Sequence, residues 1–175
     1  SNLTLVGKGH DQTTIWGELV VENQTNIVLK DFNITNPDGF GLLMNGSETN
    51  VKVVECTVQQ CQYAGMYVSG GATVVATRCE FMENGQSGVF VGDSNTKVTM
   101  NDCTSHHNSY DGLNVNRHAV VDLHGEATDI HNNKECGIFA HRNGKVKIHL
   151  PSQHNTSHNN GKVDRKKLQG GIIAN

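Results

Sequence analysis

Asp111, Arg117, His141 and Arg142 carry groups suited to proton transfer and anion binding; Asp93, Arg117 and Arg142 fall on consecutive repeats and Asp111 just ahead of Gly112. Beside them stand Asp93 and Tyr110. A carboxylate or imidazole moves protons, and a guanidinium clamps a carboxylate, only when each stands within about 3 Å of the substrate. These four are therefore the candidate catalytic residues. A second set, Tyr67, Phe90, Asn114, Asn116, Phe139 and His141, has the chemistry of a binding surface. Aromatic rings stack on the C–H faces of sugars, while amides bond hydroxyls. Histidine is abundant, with 10 residues, and His106, His107 and His131 fall at corresponding places in successive repeats. No H-E-x-x-H or H-x-E…C-x-x-C spacing accompanies them, so surface turns are the expectation, with no metal site and no cofactor.

The elements that position these residues follow from an internal repeat. A glycine opens Gly41-Leu-Leu-Met, Gly65-Met-Tyr-Val, Gly88-Val-Phe-Val, Gly112-Leu-Asn-Val, Gly137-Ile-Phe-Ala and Gly171-Ile-Ile-Ala, at intervals of 24, 23, 24, 25 and 34. Amides recur every 24 residues at Asn36, Gln60, Asn84, Asn108 and Asn132, and a third column runs Phe32, Cys56, Cys79 and Cys103. Segments such as Val51-Lys-Val53 and Val98-Thr-Met100 alternate apolar and polar, the period of a strand. Units of about 24 residues with two or three short strands predict an all-β fold, a parallel β-helix of about seven coils, in which like residues stack. The inward columns are Leu42/Met66/Val89/Leu113/Ile138/Ile172 and Met44/Val68/Val91/Val115/Ala140/Ala174. The outward columns are Leu43/Tyr67/Phe90/Asn114/Phe139/Ile173 and Asn45/Ser69/Gly92/Asn116/His141/Asn175. The amides form a structural ladder in a turn.

The opening Asn2-Leu-Thr-Leu-Val-Gly-Lys-Gly, and the units running from Cys79 through Asn84 to Gly88 and from Cys103 through Asn108 to Gly112, resemble the right-handed parallel β-helix repeats of the pectate-lyase-like superfamily. The resemblance covers nearly all 175 residues. It implies a single-stranded right-handed β-helix and an association with polysaccharides. The acidic calcium cluster of the lyases, the Gly-His-Gly of galacturonases and the Asp-Pro-His of mannuronan epimerases are all missing. The expectation is a non-catalytic carbohydrate- or protein-binding or scaffold module. A polysaccharide lyase, hydrolase or epimerase acting on an acidic polymer is the first alternative, and a structural surface or virion-type β-helix the second.

Composition agrees with this. The chain has 19 Gly, 2 Pro and only 5% aromatic residues, and no apolar run long enough to span a membrane. A net charge of −3 gives no reason to expect a nucleic-acid partner. Residues 1–140 hold 7 Lys+Arg against 16 Asp+Glu, whereas 141–175 hold 7 against 1. Residues 151–170 lengthen the last repeat and read as a basic loop insertion. Five cysteines, an odd count, argue against a disulfide framework and for an apolar stack of thiols, although adjacent coils would also permit a disulfide. The compartment stays open, since stacked thiols suit a reducing one and the sequons at Asn2, Asn23, Asn33, Asn45 and Asn155 a secreted one. One domain spans 1–175. Lacking end caps, it reads as a segment of a longer repeat protein or one that associates end to end or side by side.

Overall fold

A computed structural model describes residues 2–151 and 153–175. Its strands form three parallel sheets, and among the described residues there is no helix. Sheet A stacks β1 (Leu3–Val6), β4 (Ile27–Lys30), β7 (Asn50–Val54), β10 (Thr73–Thr77), β13 (Lys97–Asn101), β16 (Val120–His124), β19 (Lys145–Ile148) and β22 (Ile172–Ala174). Sheet B stacks β2 (Thr14–Trp16), β5 (Asn33–Thr35), β8 (Thr57–Gln59), β11 (Glu80–Met82), β14 (Thr104–His106), β17 (Asp129–His131) and β20 (Ser157–His158). Sheet C stacks β3 (Leu19–Glu22), β6 (Leu42–Asn45), β9 (Met66–Ser69), β12 (Val89–Val91), β15 (Leu113–Val115), β18 (Cys136–His141) and β21 (Val163–Leu168). Each coil gives one strand to each sheet, so every neighbour in a sheet comes from the coil before or after.

The core is the set of inward columns. Leu42, Met66, Val89, Leu113 and Ile138 are fully buried, as are Met44, Val68, Val91, Val115 and Ala140. Each large side chain so placed contributes about 1.5–3 kcal/mol through burial. All five cysteines are free and buried. The thiols of Cys79 and Cys103 donate to the carbonyls of Val53 (3.4 Å) and Ala76 (3.5 Å) in the preceding coil. Burial pushes the Cys56 thiol up to about 12, which suits a packing role rather than a reactive one.

A buried amide ladder runs along one turn. Asn84 Oδ1 accepts from the Cys61 backbone N–H (3.1 Å), Asn108 Oδ1 from Asn84 N–H, Asn133 Oδ1 from Asn108 N–H and Asn160 Oδ1 from Asn133 N–H. Asp164 Oδ1 closes the series by accepting from Asn160 N–H. Two positions differ from the regular 24-residue series. Gln60 and Asn132 are the exposed residues just before Cys61 and Asn133, and both take left-handed conformations, with φ of 54°. The coils vary in length at their turns, so a fixed interval cannot choose between neighbouring amides.

The ladder is one of the close neighbours that require the glycine column, together with inward side chains of the next coil such as Ser105 and Ile130. A Cβ on Gly65, Gly88, Gly112 or Gly137 would stand 2.7 Å or less from Nδ2 of Asn84, Asn108, Asn133 or Asn160 in the next coil. On Gly41 it would stand 2.9 Å from Sγ of Cys61, which holds the ladder position there.

The last coil departs from the expectation. Residues 151–170 are not one loop: they include β20 and β21, and β21 pairs with β18. After Gly171, Ile172–Ala174 forms β22, which pairs with β19 in sheet A. Ile172 and Ala174 therefore leave the inward columns of sheet C, where Arg165 and Lys167 stand instead, and Ile173 and Asn175 leave the outward ones. A charged strand gives no apolar alternation, so its place was hidden until backbone pairing assigned it.

Candidate functional site

The outward face of sheet C carries one column of Val20, Leu43, Tyr67, Phe90, Asn114, Phe139 and Lys166, set by strand pairing at about 4.8 Å per coil. The last coil completes the sheet instead of folding over it. Tyr67 and Phe90 stack in parallel, with centroids 5.1 Å apart and planes within 3°. Phe40 packs against both Tyr67 (5.0 Å) and Tyr63 (5.1 Å). Two coils along, Phe139 stacks on His141 (4.5 Å) and lies under Lys166 Nζ (5.3 Å). Ring faces are thus turned largely toward one another. A ligand along this face meets ring edges, the tyrosine hydroxyls and the cations.

Between the two aromatic groups lies a buried polar relay. Asp111 Oδ1 accepts from Cys136 N–H (3.0 Å), and its Oδ2 accepts from Asn114 Nδ2 (2.8 Å). That orientation leaves Asn114 Oδ1 facing His141 Nε2 at 3.2 Å, so His141 carries its proton on Nε2. Burial, with Arg142 and Arg117 adding to it, lowers the His141 pKa against an opposing pull from Asp111. His141 is therefore neutral near pH 7, with Nδ1 left as its acceptor nitrogen.

The four candidate catalytic residues are neighbours, since Asp111, Arg117 and Arg142 all act electrostatically on His141, but they are engaged differently. Asp111 is 6% exposed and both of its oxygens are engaged. Arg117 lies 3.4 Å from Asp93 on the preceding coil, and Arg142 sits in the adjoining turn, exposed. Of the candidate binding residues, Tyr67, Phe90, Phe139 and His141 are half-buried at the surface, whereas Asn114 and Asn116 are buried at 9% and 5%. Those two amides shape the surface from beneath. Phe40, Tyr63 and Lys166 were missed by sequence reasoning. Tyr63 shares a turn column with Gln86, Tyr110, Glu135 and Lys162, linked by backbone bonds from coil to coil. The Tyr63–Tyr110 spacing was a readable signal for that column, but Lys166 had none.

The histidines of sheet B do neighbour one another. His106, His131 and His158 stack with centroids 4.9 and 5.3 Å apart. Glu80 lies 2.9 Å from His106 Nε2, and Asp129 lies 2.9 Å from His158 Nε2 and 3.8 Å from His131 Nε2. Burial is the main cause that lowers the His131 pKa, opposed by Asp129 and reinforced by His106, His158 and His107.

His131 and His141 thus both have folded-state pKa values below the unfolded value of about 6.5. The unfolded chain takes up these protons first, so their contribution to stability is complete above about pH 6.5 and is lost as pH falls through the folded values. Thermal melts from pH 8 to pH 5 should show the midpoint falling below about pH 6.5. His131→Gln should flatten that fall, and an unchanged profile in the variant would remove His131 as a cause.

Coil-by-coil pairing of three parallel sheets, with a buried amide ladder at one turn, is the architecture of a parallel β-helix, and a family match decides the family. The chain belongs to the right-handed β-helix family. The match, to the right handed beta helix region, covers residues 15–160. Neither a curated protein nor a solved structure matches the chain. For this β-helix, the hand agrees with the right-handed crossover that parallel strands favour, because twisted strands pack back onto their neighbours that way.

Proposed function

We propose that this β-helix is a non-catalytic binding module whose sheet C face takes an extended anionic polysaccharide. The observation that carries this reading is the outward face itself. Aromatic edges, His141 and Lys166 stand there on successive coils, with the exposed cations Arg117 and Arg142 in the adjoining turns. One coil advances by about 4.8 Å, a step comparable with one sugar of an extended chain, so successive sugars can meet equivalent positions. Guanidinium groups suit carboxylates, and tyrosine edges and hydroxyls suit the sugar ring and its hydroxyls. The enzymatic alternative has less support, because Asp111 is engaged and, among the described residues, it is the one carboxylate that acts on His141.

Co-sedimentation and calorimetry with uronate polymers test the reading. Tyr67→Ala with Phe139→Ala should weaken binding at least tenfold, and Arg117→Ala with Arg142→Ala should weaken it and reduce its salt dependence. Binding unchanged in both double variants would move the site off sheet C. Turnover of the polymer that depends on His141 would replace this reading with the enzymatic one.

A further inference from the structure

A second group of side chains lies on the outward face of sheet A, apart from the proposed polysaccharide surface. Asp122 and His124 are alternate residues of β16 and so point to the same side. The pairing of Leu123 with Ile148 places His149, just beyond β19, beside His124 on the next coil. The backbone bond from His149 N–H to Leu123 C=O (2.9 Å) holds it there. Asp122 Oδ1 lies 2.6 Å from His149 Nε2, and the two imidazoles are parallel with centroids 4.2 Å apart. One donor atom from each of the three residues lies within 4.8 Å of the other two. Among the described residues, no other three histidine, cysteine or acidic side chains bring donors so close. The His124 ring makes no hydrogen bond to a described residue, so its nitrogens remain free to coordinate.

We propose that Asp122, His124 and His149 bind one divalent transition-metal ion of the zinc, cobalt or nickel class. Two imidazoles and a carboxylate are the donors these borderline ions prefer, whereas calcium and magnesium take sets made of oxygen. Bond lengths of about 2.0–2.2 Å put neighbouring tetrahedral donors roughly 3.4 Å apart. His149 is exposed and His124 half-buried, so their rings have room to turn toward that spacing. Three protein ligands leave the fourth position to water or to a donor from a partner. The stacked histidines of sheet B do not compete on geometry. His106 turns to Glu80 while His131 and His158 share Asp129 through different oxygens, and among the described residues no three of these donors lie within the spacing of the sheet A group.

The test uses untagged protein and three ions as probes. Titration with Zn2+ should give one saturable site in the low micromolar range or tighter, and Co2+ should give the intense visible bands of tetrahedral coordination. Mg2+ at millimolar concentration should not displace either ion. His124→Ala and His149→Ala should each weaken Zn2+ binding at least tenfold, with Asp122→Asn as a third variant that keeps the side-chain shape. Thermal melts without metal confirm that each variant folds. Absence of saturable Zn2+ binding overturns the proposal. So does binding that survives both histidine substitutions, which would place the ion elsewhere, as on the sheet B stack.

Discussion

Asn108→Ala should lower stability by about 4 kcal/mol, because it leaves several buried polar groups without partners at once. Asn108 is fully buried. Its Oδ1 accepts from the backbone N–H (3.1 Å) and side-chain Nδ2 (3.0 Å) of Asn84, and its own Nδ2 donates to the Phe81 carbonyl (3.1 Å) and to Asn133 Oδ1 (2.9 Å). Alanine removes both halves of that exchange while the coils on either side stay in place. For a chain of this size the loss corresponds to a fall of roughly 10 °C in the melting midpoint. Differential scanning calorimetry reads it directly. A fall of less than about 2 °C would mean that water enters and takes over the bonds, and the ladder would then matter little to stability.

Gly112→Ala should be nearly as damaging, for a steric reason. A Cβ there would overlap the Ile130 side chain and stand 2.6 Å from Asn133 Nδ2 and 2.9 Å from the Gly137 carbonyl oxygen. Ile130 is fully buried and β-branched, and a backbone carbonyl in a parallel ladder cannot withdraw, so a loss of about 3 kcal/mol is expected. Gly92→Ala is the control, since its nearest neighbours would be the ends of Asn116 and Phe90 at 3.1 and 3.2 Å. The double variant Gly112→Ala with Asn133→Ala should lose slightly less than the two single losses combined, because removing the carboxamide relieves the Asn133 contact while the Ile130 overlap and the Gly137 carbonyl contact remain. Strict additivity would show that glycine and ladder amide are not one packing unit.

Both results bear on what the family repeat is for. The glycine, the ladder amide and the inward aliphatics build a scaffold, and their demands leave the outward positions free to differ from coil to coil. That freedom is visible on sheet C, where one column passes from Tyr67 and Phe90 through Asn114 to Phe139 and Lys166. It is visible on sheet A, where Asp122, His124 and His149 have no counterparts among the aliphatic inward positions.

By itself the sequence determined the period, the parallel coil and the inward columns. Stacking places like residues beside like, so Leu42, Met66, Val89, Leu113 and Ile138 had to repeat for the interior to close. The column Phe32, Cys56, Cys79 and Cys103 was legible for the same reason, and all four are buried. Only the tertiary structure could decide between Asn132 and Asn133, because turns absorb added residues while strand pairing sets which amide enters the ladder. It alone identified the charged segment Val163–Leu168 as a strand and moved Gly171 to another sheet. It also turned the aromatic rings toward one another and brought His149 beside Asp122, since side-chain direction and cross-coil distance arise only once backbone register is set.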